Sequence, residues 1–155
     1  MQKWLGKQDG FTLIEVVAVL VILGILAVVV ANRATSTSTY SVRSQAAALK
    51  SHIRYAQTRA MATESIWGIT ISAKQYALFR DDDTTKTVML PGAESNPVVL
   101  KANEPSLSSG AIRFDGKGRP VDTGGAPISG DTTFTVSMAG ETETITITQN
   151  TGFIP

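Results

Sequence analysis

Glu15 is an ionisable side chain inside a run that is otherwise almost wholly apolar, Phe11 to Ala31, with Lys3, Lys7 and Gly10 just before it. A lone carboxylate in hydrocarbon costs about 2.5–3.5 kcal/mol on insertion scales, so such residues are rare and usually paired. The chemistry on offer is an ion pair in low dielectric. A positive amine one helical turn before Glu15 would supply the other half of such a pair. That amine, on the same chain or on a neighbour, is the natural partner for the carboxylate.

Other residue groupings carry less. Arg113, Lys117 and Arg119 surround the loop Phe114-Asp115-Gly116-Lys117-Gly118-Arg119-Pro120. Phosphate contacts need cations and flexible backbone amides, and this loop is read as offering both. Asp115 and Asp122 dilute its charge, and beyond Phe114 it lacks aromatics for base stacking. A solvated glycine turn is the favoured reading. Asp81-Asp82-Asp83 offers oxygen ligands to a hard cation, but consecutive side chains diverge, so a solvated turn is again favoured. His52 is the sole histidine and there is no cysteine. That leaves no Ser/His/Asp or Cys/His arrangement and implies no metal, so His52 is expected to be partly buried and hydrogen-bonded. Gly116-Lys117-Gly118 lacks the spacing of a phosphate loop. No cofactor is implied, and an enzyme is the least supported class.

The elements that hold these residues follow from pattern. Phe11 to Ala31 approaches the ~20 residues that span a bilayer as a helix. Its β-branched residues would favour strand in water, but in lipid the backbone must satisfy itself, so helix wins. Lys3 and Lys7 keep the N-terminus cytoplasmic. A secretory signal peptide or a plain signal anchor would leave Glu15 unexplained. After a Ser/Thr-rich stretch at 35–39, Val42, Ala46, Leu49, Ile53, Ala56 and Ala60 recur at helical spacing. They form one stripe, so the simplest reading is a single long helix whose second half packs on a sheet. Between Arg33 and Thr63 there are five basic residues and no acid. They suit anionic headgroups or an acidic neighbour, though a solvated helix face is favoured.

From Ser65 the period changes to two. Strands are expected at 66–72, 75–80, 87–90, 98–101, 111–114, 132–138 and 143–149, with a polar loop at 81–85 and a hairpin across Ala139-Gly140. Strands after one helix give an α+β fold, an antiparallel sheet with a helix on one face. The formal charge of +1 over 155 residues gives no general case for nucleic acid. Without cysteines the outer domain must be held by packing alone.

The stretch Lys7-Gln8-Asp9-Gly10-Phe11-Thr12-Leu13-Ile14-Glu15-Val16 resembles the leader of type IV prepilins and type II secretion pseudopilins. Asp9 departs from the pattern, since such leaders are often basic there. The resemblance implies cleavage between Gly10 and Phe11 by the prepilin peptidase and N-methylation of Phe11. In a bundle of such helices a neighbour's amine would neutralise Glu15, so Glu15 is expected to set the register of assembly. The resemblance also implies an inner-membrane protein, cytoplasmic at its N-terminus and periplasmic in its head, which then enters a fibre. The partners implied are other pilins or pseudopilins, the inner-membrane assembly platform and membrane lipid.

A second likeness covers the rest. The helix 44–62, the Trp67 strand, Ile112-Arg113-Phe114-Asp115-Gly116, the hairpin 134–147 and Gly152-Phe153-Ile154 are similar in order to GspH/FimT-type minor pseudopilins. That likeness implies a pilin-like fold with a β-sandwich-like head near the tip of a fibre. Residues 1–10 would be leader, 11–31 the membrane and assembly helix, 32–63 its amphipathic continuation and 64–155 the head. The lack of a cysteine pair and of a proline in the span leans toward a minor subunit. Some relatives resemble DNA-uptake receptors, but no basic residue follows Gly152 here, so DNA is the alternative partner and not the favoured one.

Overall fold

The computed structural model describes residues 11–155, leaving aside the side chains of 31–36. Thr12 caps the start of the helix α1, Leu13–Thr63, and Glu64 ends it in the left-handed region at φ 53°. A glycine is usual at that position because it has no Cβ to clash, so Glu64 is a strained stop. The Ser/Thr stretch at 35–39 remains helical. The residues fall into two units, one up to Thr37 and one from Ser38 to Pro155.

In the first unit the window Leu13–Val30 has mean hydropathy 3.2 and none of it is buried. Its length and composition suffice to cross a bilayer. Within the described residues of this unit the apolar side chains of 13–30 have no core to join.

In the second unit the stripe Val42, Ala46, Leu49, Ile53, Ala56 and Ala60 is buried, each residue at most 2 % exposed. It joins one core with Trp67, Ile69, Ile71, Leu78, Ile112, Phe114, Val136, Ile145 and Ile147. Alternate residues of each strand supply these groups, as the pleat requires. The strands are β1 Trp67–Ser72, β2 Gln75–Arg80, β3 Asp83–Val88, β4 Val98–Val99, β5 Ser106–Leu107, β6 Gly110–Phe114, β7 Pro120–Val121, β8 Thr132–Met138 and β9 Glu141–Ile147. One antiparallel sheet runs β3-β2-β1-β6-β7, with β4 also on β2, and a second runs β5-β8-β9.

The polar loop expected at 81–85 is instead a tight hairpin. Arg80 pairs with Asp83, and Asp81 and Asp82 form its two-residue turn at φ 59° and 56°. Two positive φ values match the right-handed strand twist, and Asp tolerates them. β3 is mostly exposed, so it carries no apolar alternation to read. The second expected hairpin is present: Met138 pairs with Glu141 across Ala139 and Gly140, both at positive φ.

Gly68 explains the outer face of the large sheet. It stands in register between Phe79 on β2 and Arg113 on β6. A Cβ there would collide with the Ile112 carbonyl oxygen and the Phe79 ring. The ring lies over the bare glycine and is fully buried, and the Arg113 guanidinium sits 5.2 Å from its centroid.

Candidate functional site

The end of the membrane-type helix comes first. Thr12, Leu13, Ile14 and Glu15 read as a capping box, a Thr at the N-cap with a Glu three residues on. The Glu15 backbone N–H donates to Thr12 Oγ1 at 3.3 Å and to the Thr12 carbonyl at 3.1 Å. Glu15 therefore also stands in the first turn, where the helix dipole favours a carboxylate. Reading Glu15 only as a pairing group missed this, although the T-x-x-E spacing signals it. Phe11 precedes the helix and is 85 % exposed. Glu15, Val16, Val19 and Leu20 flank a shallow groove with it. Gly10, the other half of the expected cleavage point, lies outside the described residues.

The second candidate, the loop 114–120, is built around Asp115. Its Oδ1 accepts the backbone N–H groups of Lys117 and Arg119, each at 2.9 Å, and its carbonyl accepts that of Gly118 at 2.8 Å. The Arg119 fork donates to Asp115 Oδ2 from Nε at 2.9 Å and Nη2 at 2.7 Å. Burial pushes the Asp115 carboxyl up, but these N–H donors and the guanidinium charge outweigh it and hold it below the ordinary carboxylate value. The expectation of flexible, available amides is thus corrected: three of them are spent on Asp115, as in an Asx turn.

Glycines set where this loop lies. Gly118, at φ 77°, would bring a Cβ to 2.8 Å from Met61 Sδ of the helix. Gln57 Nε2 donates to the Gly118 carbonyl at 2.8 Å and to those of Thr151 and Gly152 at 3.2 Å. One helical amide thereby fastens both the loop and the tail.

The three cations do not form one exposed patch. Arg113 Nε donates to Asp82 Oδ1 at 2.5 Å, both side chains mostly buried, and Asp82 Oδ2 accepts the Gly124 N–H at 2.8 Å. Arg119 is paired as described, and Lys117 alone is exposed without an ion pair among the described residues. Asp81, Asp82 and Asp83 do diverge. Asp81 faces Arg80 and Lys86, Asp82 faces Arg113, and Asp83 accepts from the Thr85 N–H and hydroxyl.

The basic side of the helix is not simply solvated, and that expectation is corrected too. Lys50 faces Glu143 at 4.0 Å, and Arg54 donates to the Ile154 carbonyl at 2.7 Å. Arg59 lies over the Trp67 ring at 4.9 Å. The flanks of the stripe meet the small sheet, the tail and the start of β1, so these cations find partners there. His52 Nδ1 and the Tyr76 hydroxyl share a hydrogen bond of 2.9 Å. Burial lowers its pKa below the ordinary value, against a smaller upward pull from the Pro91 backbone.

Residues 5–31 match the prokaryotic N-terminal methylation motif, and residues 45–152 match the type II transport protein GspH family. Among curated protein sequences none matches this chain. The crystal structure of the type IV minor pilin FimU from Pseudomonas aeruginosa is similar in fold, with TM-score 0.52 at 18 % identity over 74 % of this chain and 86 % of that one. The family is one of structural subunits rather than enzymes, and membership implies assembly with other pilins and prepilin peptidase processing. With more than half of its length in that match, the chain belongs to the GspH family, within the type IV pilin and pseudopilin superfamily.

Proposed function

We propose that this protein is a minor subunit at the tip or initiation complex of a type IV pilus or type II secretion pseudopilus. The observation that carries the reading is the unsatisfied apolar surface of 13–30 on a chain whose head already closes its own core. Such a surface is satisfied first by lipid and then by the helices of neighbouring subunits. The prepilin peptidase cuts between Gly10 and Phe11, the new amine is methylated, and the helix anchors the subunit in the inner membrane with its head in the periplasm. Residues 1–10, 11–31, 32–63 and 64–155 then serve as leader, assembly helix, amphipathic continuation and head. An inner-membrane platform extracts the subunit into the fibre.

Glu15 fixes the register. Within a helix bundle the Phe11 amine of a neighbour neutralises its carboxylate in low dielectric, and an unpaired Glu15 favours docking beside a waiting amine. FimU is described as a minor pilin, and the likeness of fold supports the same role here. The DNA-uptake reading gains no support: a phosphate reaching Arg113 or Arg119 would have to displace Asp82 or Asp115.

The test is deletion of the gene with fibres counted by electron microscopy. Loss restored by the intact gene but not by Glu15→Ala places the chain in pilus assembly. Undiminished fibres with lost protein export move it to a secretion pseudopilus. Full assembly by Glu15→Ala would overturn the register role.

A further inference from the structure

Beside the last turn of α1 the head carries a cleft of about 570 Å³, within the ~300–1,000 Å³ typical of ligand sites, that the assembly role leaves unused. Arg59, Trp67, Arg80, Asp81, Lys86 and Thr87 line it. Three cations face one carboxylate, so the lining is net positive.

The cations are poorly satisfied within the chain. The Arg59 side chain makes no hydrogen bond or ion pair among the described residues, and its Nε is buried without an acceptor. What holds it is the face of Trp67 at 4.9 Å. That ring is itself fixed, since Trp67 Nε1 donates to Thr63 Oγ1 at 2.7 Å and Thr63 Oγ1 donates to the Arg59 carbonyl at 2.8 Å. Arg80 and Lys86 share Asp81 Oδ2 at 3.9 and 3.6 Å, both too long for a good charge-assisted bond. A guanidinium held rigidly over an aromatic ring, with two more cations lining the same cleft, is pre-organised to receive an anion.

We propose that this cleft binds a compact oxyanion, a carboxylate or phosphate group carried by a small molecule or by a side chain of another subunit. An extended polyanion is disfavoured, because the Asp81 carboxylate itself lines the cleft. The site lies wholly within the unit Ser38–Pro155 and does not depend on which machine the protein serves.

The chain has two tryptophans, Trp4 and Trp67, so the Trp4→Phe full-length protein in micelles leaves Trp67 as the only indole reporter. Inorganic phosphate, acetate and a short end-blocked glutamate peptide are titrated at constant ionic strength against chloride. A saturable change in Trp67 emission is expected with at least one oxyanion and not with chloride. The double variant Arg80→Gln/Lys86→Gln, on exposed positions that spare the fold, should weaken it about tenfold or more. Asp81→Asn, which removes the competing carboxylate, should tighten it. Tighter binding of the peptide than of the free anions assigns the ligand to a partner's side chain, and the reverse assigns it to a small molecule. An identical response to chloride, no saturable response to any oxyanion, or binding unchanged in the double variant overturns the site.

Discussion

Two lengths of one helix carry apolar surface of different kinds. Residues 13–30 are apolar on every side and wholly exposed, whereas from Val42 to Ala60 a single stripe is apolar and buried. A stripe calls for one partner on one side, and here the chain supplies it from its own strands. An all-round apolar surface has no such solution within the chain, because one small head cannot surround a helix of that length. Its partners must come from outside the chain, as assembly with other pilins provides. The difference teaches which half answers to folding and which to assembly, and substitutions should separate accordingly.

The largest separation is expected between Leu49→Ala and Leu20→Ala. Leu49 is fully buried, and removing its side chain leaves a cavity worth about 2–5 kcal/mol of head stability. Leu20 is 62 % exposed, so the same truncation should leave the head within about 0.5 kcal/mol of the parent. Urea unfolding of the full chain in micelles, followed by near-ultraviolet circular dichroism, measures both. Equal losses would break the comparison.

Gly152→Ala comes next. A Cβ there would strike the Gly118 carbonyl and meet Gln57 Nε2 at 2.6 Å, on a backbone already at φ 65°. Strain plus overpacking is expected to cost about 1–3 kcal/mol. The loss should fall on the head, with retention of the first half in membranes unchanged. Fractionation beside the same unfolding assay checks this. A Gly152→Ala protein that leaves the membrane would contradict the division.

Thr12→Ala tests the exposed half by itself. The Thr12 cap is worth about 1 kcal/mol, so Glu15 amide exchange should quicken about fivefold while the urea midpoint of the head stays put. Glu15→Gln keeps a polar side chain in the first turn but removes the charge. If it assembles as the parent does, the cap and not the ion pair is what Glu15 supplies.

Much of this was legible because it rests on period and on local chemistry. The helix, its stripe and the 139–140 hairpin follow from spacings that hold over several turns or residue pairs. Of the β3 edge only the end was legible, within the strand expected at 87–90, since an exposed strand such as Asp83–Val88 hides no apolar face from water. β5 and β7 are two residues each, too short to show a period at all. At the site, Gly10, Phe11 and Glu15 were legible as a motif, and the Thr12 cap on the Glu15 amide was present but overlooked. The pairing of Arg113 with Asp82 was not readable, because 31 positions separate them and only the β2-β1-β6 register brings them together. The same holds for Arg59 above Trp67, where a cation read as solvated is held by a ring on the next element.

The smallest effect expected is a pH dependence confined to the packed half. His52 sits on the stripe's flank against Tyr76, with ring centroids 5.6 Å apart. Burial lowers its folded pKa below 6.5, so the unfolded chain binds the proton more tightly. Head stability should therefore decline as pH falls below 6.5 and level off once pH has passed the folded value. The ring is only half-buried, so the slope should stay well under the single-proton ceiling of about 1.4 kcal/mol per pH unit. Asp83 and Asp115 do not interfere. Their pKa values are depressed from 3.8, so what they contribute is lost only as pH falls below that value. Urea midpoints between about pH 7.5 and 5.5, a window chosen around the ordinary His value, should slope in the parent and flatten in His52→Gln, which keeps a partner for Tyr76. A slope that survives His52→Gln would place the proton elsewhere. A slope that appears in membrane retention rather than in head unfolding would show the two halves coupled, against the division drawn from their burial.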